Sequence, residues 1–366
     1  MKVVSTKENF LKAISLAGQI IKPRPNLPIL GNFLLQAKNG VLEITATDLE
    51  TTLNIRVPVK TEMSGETTAP GRILVDLCQA AEAERVLLST EKDRLLVKLG
   101  TTNASLPTIG ASEFPHPGKF ESGDSLEIEK NQWLEFFSEV AFCTAPEGGR
   151  PVLSGVLLQA DKGSLNLVAT DGYRLAKKEV KIKGTIKAII PGRTLQEAAK
   201  AIAAQEDEML EIGTDVGKNQ LRFKTRDLTI TSRLLEGDYP NYDQIMPNSF
   251  VTQISTRTKE LTDAVKLAAL FAREVGNVVR LESEDKAVKV CASTAQVGEA
   301  ETSIAASIEG DKIKIAFNSR FFLESLAAIK ANEVSLSLSG PTSAALIRGI
   351  GDQSLVYLIM PVRIQG

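Results

Sequence analysis

Residues 27 to 48, LPILGNFLLQAKNGVLEITATD, and residues 150 to 171, RPVLSGVLLQADKGSLNLVATD, align without a gap at an offset of 123. Eleven of the 22 positions are identical, among them Leu34, Leu35, Gln36 and Ala37 against Leu157, Leu158, Gln159 and Ala160. A chain that repeats itself in this way folds as copies of one plan, because each copy carries the same apolar pattern to the same depth. A second step of 123 reaches residues 278 to 294, VVRLESEDKAVKVCAST. Identity has faded there, but Leu281, Val288, Val290 and Ala292 stay in step with Leu35, Leu42, Ile44 and Ala46.

The copies share an order of elements. Each opens on a helical segment with apolar residues three or four apart: Phe10, Ile14, Ala17 and Ile21; Trp133, Phe137 and Val140; Leu261, Val265, Ala268 and Phe271. Two strands follow, joined in the first two copies by a turn at Asn39 and Gly40 or Lys162 and Gly163, where glycine supplies the positive φ of a tight hairpin. A second amphipathic segment starts at a shared arginine, Arg72, Arg193 or Arg320. Alternating strands then close the copy, as in RLLVKLGTTNASLPTI, QLRFKTRDLTITSRLL and VSLSLSGPTSAALIRG. The six helical segments are expected at 6–22, 71–85, 129–144, 192–205, 256–273 and 319–332. Joins fall in the Pro-, Gly- and Asn-rich stretches Glu113 to Asp124 and Glu236 to Phe250. The expectation is an α+β chain of three domains, 1–119, 120–245 and 246–366, each with helices on one face of an antiparallel sheet.

Several chemistries are excluded by what is scarce. The 366 residues hold one histidine, His116, inside Phe114-Pro115-His116-Pro117-Gly118, an extended linker. No His-pair metal site or HExxH helix can be built, so no metal is expected. No Walker sequence exists, and Gly349-Ile350-Gly351 lacks the third glycine and following helix of a dinucleotide site, so no cofactor is expected either. Asp48 and Asp171 could be read as a carboxylate dyad for a hydrolase. They occupy the same strand end in different copies, so turn and cap duty is the expected role. Cys78, Cys143 and Cys291 stand far apart among apolar neighbours and read as buried thiols of a reduced compartment. The N-terminus has no signal-peptide pattern and no stretch reaches about 18 apolar residues, so the expected location is the cytoplasm, away from membranes.

Forty-three Lys and Arg against 45 Asp and Glu leave a net charge of −2, so any basic surface must be local. The helical segments together carry 14 basic and 11 acidic residues. Lys259, Lys266 and Arg273 recur every seven residues along one stripe, and Lys12, Ser15, Gln19 and Lys22 form another without acids. Aromatics make up only 5%, too few for base-stacking platforms.

The NFLLQ and GVLLQ strands, the run Ala169-Thr170-Asp171-Gly172-Tyr173-Arg174-Leu175-Ala176 and the ending Tyr357-Leu358-Ile359-Met360-Pro361-Val362-Arg363-Ile364 resemble, through the full chain, the bacterial DNA polymerase III beta subunits, the sliding clamps. That resemblance implies a head-to-tail homodimeric ring around duplex DNA, helices inside and sheets outside, with no catalysis. A ring holds DNA topologically and without regard to sequence, so a small helix-borne excess of Lys and Arg suits sliding.

It also implies sites. A groove for short apolar peptides of the replicative polymerase, clamp loader and repair proteins would be walled by Leu153, Thr170, Gly172, Tyr173, Arg174 and Leu175. Pro240, Gln244 and Ile245 would supply its linker side, and Ile359, Met360, Pro361, Val362 and Arg363 its C-terminal lip. Arg24, Arg72, Arg150 and Arg193 would meet DNA. An open sheet edge at Ala104 and Leu106 would pair with the next subunit near Leu270 and Phe271. Tyr173 stands where histidine is common in the family, and Gln365 and Gly366 extend past its usual end, which bears on peptide preference. The rival readings are a monomeric peptide-binding adaptor and a hydrolase using Asp171 or Asp48.

Overall fold

The computed structural model describes residues 1–115, 120–217, 219–247, 249–273, 276–294 and 298–363. His116, Gln365 and Gly366 lie outside the described residues.

The first copy runs β1 (Lys2–Thr6), α1 (Lys7–Gly18), β2 (Asn32–Lys38), β3 (Val41–Thr47), β4 (Thr51–Pro58), β5 (Lys60–Met63), β6 (Gly65–Pro70), α2 (Gly71–Ala80), β7 (Arg85–Glu91), β8 (Arg94–Leu99) and β9 (Thr102–Pro107). The second runs β10 (Ser122–Glu129), α3 (Lys130–Val140), β11 (Gly155–Asp161), β12 (Ser164–Thr170), β13 (Arg174–Lys181), β14 (Ile186–Pro191), α4 (Gly192–Ala203), β15 (Met209–Asp215), β16 (Gln220–Lys224) and β17 (Leu228–Arg233). The third runs β18 (Thr252–Arg257), α5 (Thr258–Ala272), β19 (Val278–Ser283), β20 (Ala287–Thr294), β21 (Gly298–Ala305), β22 (Ser307–Gly310), β23 (Lys314–Asn318), α6 (Ser319–Ala328), β24 (Glu333–Leu338), β25 (Ala345–Gly349) and β26 (Leu355–Ile359).

The repeat register read from the sequence is the register of the ladders. Leu35 faces Ile44, Leu158 faces Leu167 and Leu281 faces Val290, and all six are buried. The hairpins of the first two copies turn through Asn39 at φ 52° and Gly40 at 81°, and through Lys162 at 51° and Gly163 at 87°. Both central residues are left-handed, the geometry that matches the twist of the flanking strands.

The helices are shorter than the periodicity predicts, chiefly at their C-terminal ends. α1 stops at Gly18 rather than residue 22, where the chain tightens and the Gln19, Ile20 and Ile21 N–H groups bond three residues back, to Leu16, Ala17 and Gly18. α2 stops at Ala80, where Ala81 turns extended at ψ 133°. α3 gives way to a 3₁₀ turn at Ala141–Cys143, and α6 ends before the extended Ile329. Apolar spacing persists past each end because Ile20, Ile21, Cys143 and Ile329 are still buried. On α3 the buried stripe is Trp133, Phe136 and Val140, with Phe136 in place of the expected Phe137.

Contacts divide the chain into two compact units. One comprises Met1–Leu134 and Gly184–Leu235, and the other Glu135–Lys183 and Glu236–Gly366. In the first unit, β5-β1-β7-β8-β9 form one antiparallel sheet and β10-β15-β16-β17-β4-β3-β2-β6 another. The larger sheet joins two copies at a seam where β4 meets β17, with Thr51 facing Ser232 and Leu53 facing Ile230. In the second unit, β11-β12-β13-β26-β25-β24-β18-β22 lie side by side in one sheet and β21-β20-β19-β23 form another. Its seam is β13 against β26, with Arg174 facing Ile359 and Ala176 facing Tyr357. The expected packing of helices on antiparallel sheets is present, with the strands of each copy divided between two sheets where one was expected. α1 touches β1 and β7 of one sheet and β3 and β4 of the other, and α5 likewise contacts strands of both sheets of its unit. Each copy distributes its strands between two sheets, so its helices bury apolar faces against both.

Candidate functional site

The run from Thr170 to Leu175 is a tight turn between β12 and β13. Asp171 Oδ1 accepts from the backbone N–H groups of Tyr173 and Arg174, both at 2.9 Å, as a short acceptor side chain in a turn does. Thr170 Oγ1 donates to the Arg174 carbonyl at 2.6 Å and accepts from Gly172 N–H at 3.1 Å. Gly172 sits at φ 89°, a conformation that favours glycine, and lifts Tyr173 into solvent, two-thirds exposed. The C-terminal lip is stitched to this turn, because the Met360 N–H donates to the Tyr173 carbonyl at 2.8 Å. Val362 N–H in turn donates to the Ala316 carbonyl.

Of the residues expected to wall a groove, the structure exposes Gly172, Tyr173, Gln244, Ile245, Met360 and Arg363, and half-buries Pro240, Pro361 and Val362. Leu153, Thr170, Arg174, Leu175 and Ile359 are buried. The exposed apolar surface is therefore Tyr173, Ile245 and Met360. The linker side is held near β13 by Lys177, whose Nζ lies 5.4 Å from the Tyr242 ring centroid and 4.0 Å from Asp243. Tyr239 adds a hydroxyl bond to the Val168 carbonyl at 3.2 Å.

Arg174 is the keystone of the turn. Its Nε binds Asp171 Oδ2 at 3.0 Å, its Nη2 the Phe142 carbonyl at 2.7 Å, and its Nη1 the Glu324 carboxylate. The guanidinium also lies over Phe321 at 4.3 Å and near Phe142 at 5.3 Å from the ring centroids. Burial opposes its charge, but Glu324 and Asp171 outweigh that and hold it protonated. Glu324 divides itself between Arg174 and Arg320, the latter at 3.0 Å. Burial raises its carboxyl, and the two arginines more than reverse this, leaving it below its ordinary value. Phe142, Phe321 and Glu324 escaped sequence reasoning. The one signal was Glu324 four residues after Arg320, the spacing of a helical ion pair.

Behind the turn lies a buried pair, Lys178 Nζ and Glu139 at 2.9 Å, with the Tyr357 hydroxyl donating to the Glu139 carbonyl at 2.7 Å.

The four expected DNA contacts are all exposed. Arg24 and Arg150 lie in loops, and Arg72 and Arg193 are each the second residue of a helix, α2 and α4. Among the described residues Arg24, Arg72 and Arg150 form no ion pair. Arg193 Nε instead donates to Glu197 Oε1 at 3.0 Å. The basic stripes are also partly neutralised, Lys259 by Asp263 and Lys22 by Asp48.

Comparison with known proteins gives a single answer along the chain. Residues 1–117 match the family model of the DNA polymerase III beta subunit N-terminal domain, 127–241 its central domain and 243–363 its C-terminal domain. The beta sliding clamp of Streptomyces coelicolor is 30% identical over 378 residues, covering 100% of both chains. The chain belongs to the DNA polymerase III beta subunit family. The beta sliding clamp of Vibrio cholerae is 29% identical, again over 100% of both chains. The crystal structure of the DNA polymerase III subunit beta from Pseudomonas aeruginosa superposes with a TM-score of 0.94 at 28% identity and full coverage of both chains. A Pseudomonas aeruginosa sliding clamp bound to griselimycin gives 0.95 at the same identity and coverage.

For a beta subunit, the sheet edges carry as much interest as the groove. β9 is an edge strand, with Leu106 buried and Ala104 half-buried on its inner face. On α5, Leu270 is 52% exposed and Phe271 is half-buried. Leu267, which sequence reasoning missed, is 53% exposed one turn earlier. Its signal was present in the sequence, three residues before Leu270.

Both aspartates considered for a hydrolase serve as turn caps. Asp48 repeats the turn of Asp171, Oδ1 accepting from the Glu50 and Thr51 N–H groups at 3.1 and 2.8 Å. The three cysteines are buried, and burial pushes the thiols of Cys78 and Cys143 up to about 11 and about 12.

Proposed function

We infer that the chain is a DNA sliding clamp, two copies closing head to tail into a ring that encircles duplex DNA and performs no chemistry itself. It would tether the replicative polymerase, a clamp loader and repair proteins through the groove of Tyr173, Ile245 and Met360, and work in the cytoplasm. Its domains would be 1–119, 120–245 and 246–366, and Leu270, Phe271 and Leu267 would be covered in the dimer.

The pattern of seams carries this reading. β4 of the first copy pairs with β17 of the second, and β13 of the second with β26 of the third. Their counterparts left over are β21 of the third copy and β9 of the first, both edge strands among the described residues. An unpaired edge is a template for another strand. A third seam of the same kind pairs β21 of one chain with β9 of another, which is a heterologous contact that closes when the rotation fits.

The register follows from the ladders. Ala46 faces Leu53, Ala169 faces Ala176 and Ala292 faces Ala300, which makes Leu53, Ala176 and Ala300 equivalent. Gln220 faces Arg233 as Arg94 faces Pro107, so Ile230 corresponds to Ala104. Ala300 of one subunit should therefore face Ala104 of the next. Ala104→Cys with Ala300→Cys should give a disulfide-linked dimer of twice the 39.5 kDa chain mass under oxidation. The clamp loaded on nicked circular DNA should stay bound and be lost when the circle is cut. Retention after linearisation would overturn the ring, and a monomer at micromolar concentration would leave only a peptide-binding adaptor.

A further inference from the structure

The two turn aspartates use one oxygen alike and the other differently. In both, Oδ1 caps the turn. Oδ2 of Asp171 binds buried Arg174, whereas Oδ2 of Asp48 binds Lys22 Nζ at 2.9 Å. Asp48 has only 9% of its side chain exposed and Lys22 has 39%, so a sheltered carboxylate faces a cation at the surface. Lys22 lies two residues before Arg24. Across from it, Thr51 of the same turn shares a hydroxyl hydrogen bond of 2.9 Å with Thr194, in the first turn of α4. That contact brings Arg193 and Glu197 beside the turn. Burial raises the Glu197 carboxyl, and both Asp48 and Lys22 act on it electrostatically. Lys22, Asp48, Arg193 and Glu197 form one cluster of two cations and two anions.

We propose that Asp48 and Glu197 are positioning residues for the DNA-facing surface, holding Lys22 and Arg193 in a neutral cluster so that the neighbouring cations left to engage phosphates in this unit are Arg24 and Arg72. This rests on the clamp reading. A sliding surface needs enough positive charge to cancel phosphate repulsion and no more, because every phosphate neutralised releases counterions and deepens the binding. Intrinsic sheltering of Asp48 keeps its charge where duplex phosphates cannot displace it easily. The aspartate persists in both copies for the turn, and in the first it also lowers the local charge by one.

The test is equilibrium binding of the purified full-length dimer, unloaded, to a short fluorescent duplex across a salt series. Asp48→Asn keeps Oδ1 for the turn and removes the charge, and Glu197→Gln, on the face of α4, serves if the first variant folds poorly. Each should bind duplex more tightly at low salt, with the slope of log K against log salt steeper by about 0.9, the value for one more phosphate neutralised. Arg24→Ala should flatten the slope by a similar amount. On loaded circles the double variant should diffuse more slowly. Slopes unchanged in both carboxylate variants while Arg24→Ala flattens would overturn the proposal and leave the DNA surface intact. No change in any variant, Arg24→Ala included, would instead overturn the DNA-facing assignment on which it rests.

Discussion

At the scale of single residues, Arg174 shows how one side chain ties a turn to the elements packed behind it. Its guanidinium fills a site with two carboxylates, a carbonyl and two aromatic rings, and its backbone closes the turn that presents Tyr173. Removing a buried partner leaves the opposing charges uncompensated, at a cost of about 3 kcal/mol or more. Arg174→Met should lower the urea midpoint accordingly and weaken capture of an apolar peptide, while Tyr173→Ala should weaken capture with stability unchanged. The same site sets an acid response. Because the folded carboxyl of Glu324 is held below its ordinary value, it stabilises the fold at neutral pH, and this contribution is lost as pH falls through the folded value. Glu324→Gln should therefore be less stable at pH 7 and show a shallower loss between about pH 5 and 3 than the unsubstituted chain, by urea unfolding at each pH.

At the scale of elements, the second helix of each copy shows both what periodicity reads well and where it stops. Arg72, Arg193 and Arg320 are each the second residue of their helix, as the shared motif predicts. The helix ends are not legible in the same way, since Cys143 and Ile329 stay buried after the backbone has left the helix and the apolar spacing does not register the change. The first residue of α2 is closely packed. A Cβ on Gly71 would lie 2.3 Å from Ile21 Cδ1 and 2.9 Å from the Phe33 ring, which is fully buried. Gly71→Ala should cost about 1 to 3 kcal/mol through overpacking. Gly71→Ala with Ile21→Val should recover part of it, measured by thermal or urea unfolding.

For the whole molecule, the decisive relation is between strands far apart in sequence. β4 and β17, and β13 and β26, are sewn across copies, and the same logic leaves β9 and β21 as edges. Leu267 and Leu270, each more than half exposed, lie on the helix packed against β21. Leu270→Asp should shift the monomer–dimer equilibrium at least tenfold toward monomer in sedimentation equilibrium, and peptide capture should survive, since the groove residues lie within one unit. The net charge of −2 gives no hint of this arrangement. What matters is which cations have local partners, and the four-charge cluster at Lys22 is assembled from segments about 25 and 170 residues away in sequence.

The sequence by itself determined the threefold plan, the hairpin registers, the turn roles of Asp48 and Asp171 and the burial of the cysteines. These follow from short-range periodicity, positive-φ chemistry and a repeat offset that any aligned pair of copies reveals. Only the tertiary structure decided that each copy splits its strands between two sheets, that Arg174 is buried behind the Tyr173 turn, that Lys22 and Arg193 are ion-paired, and that β9 and β21 are left at sheet edges. Each of those depends on pairing between distant strands and on charges meeting across elements, and local pattern carries no record of such partners.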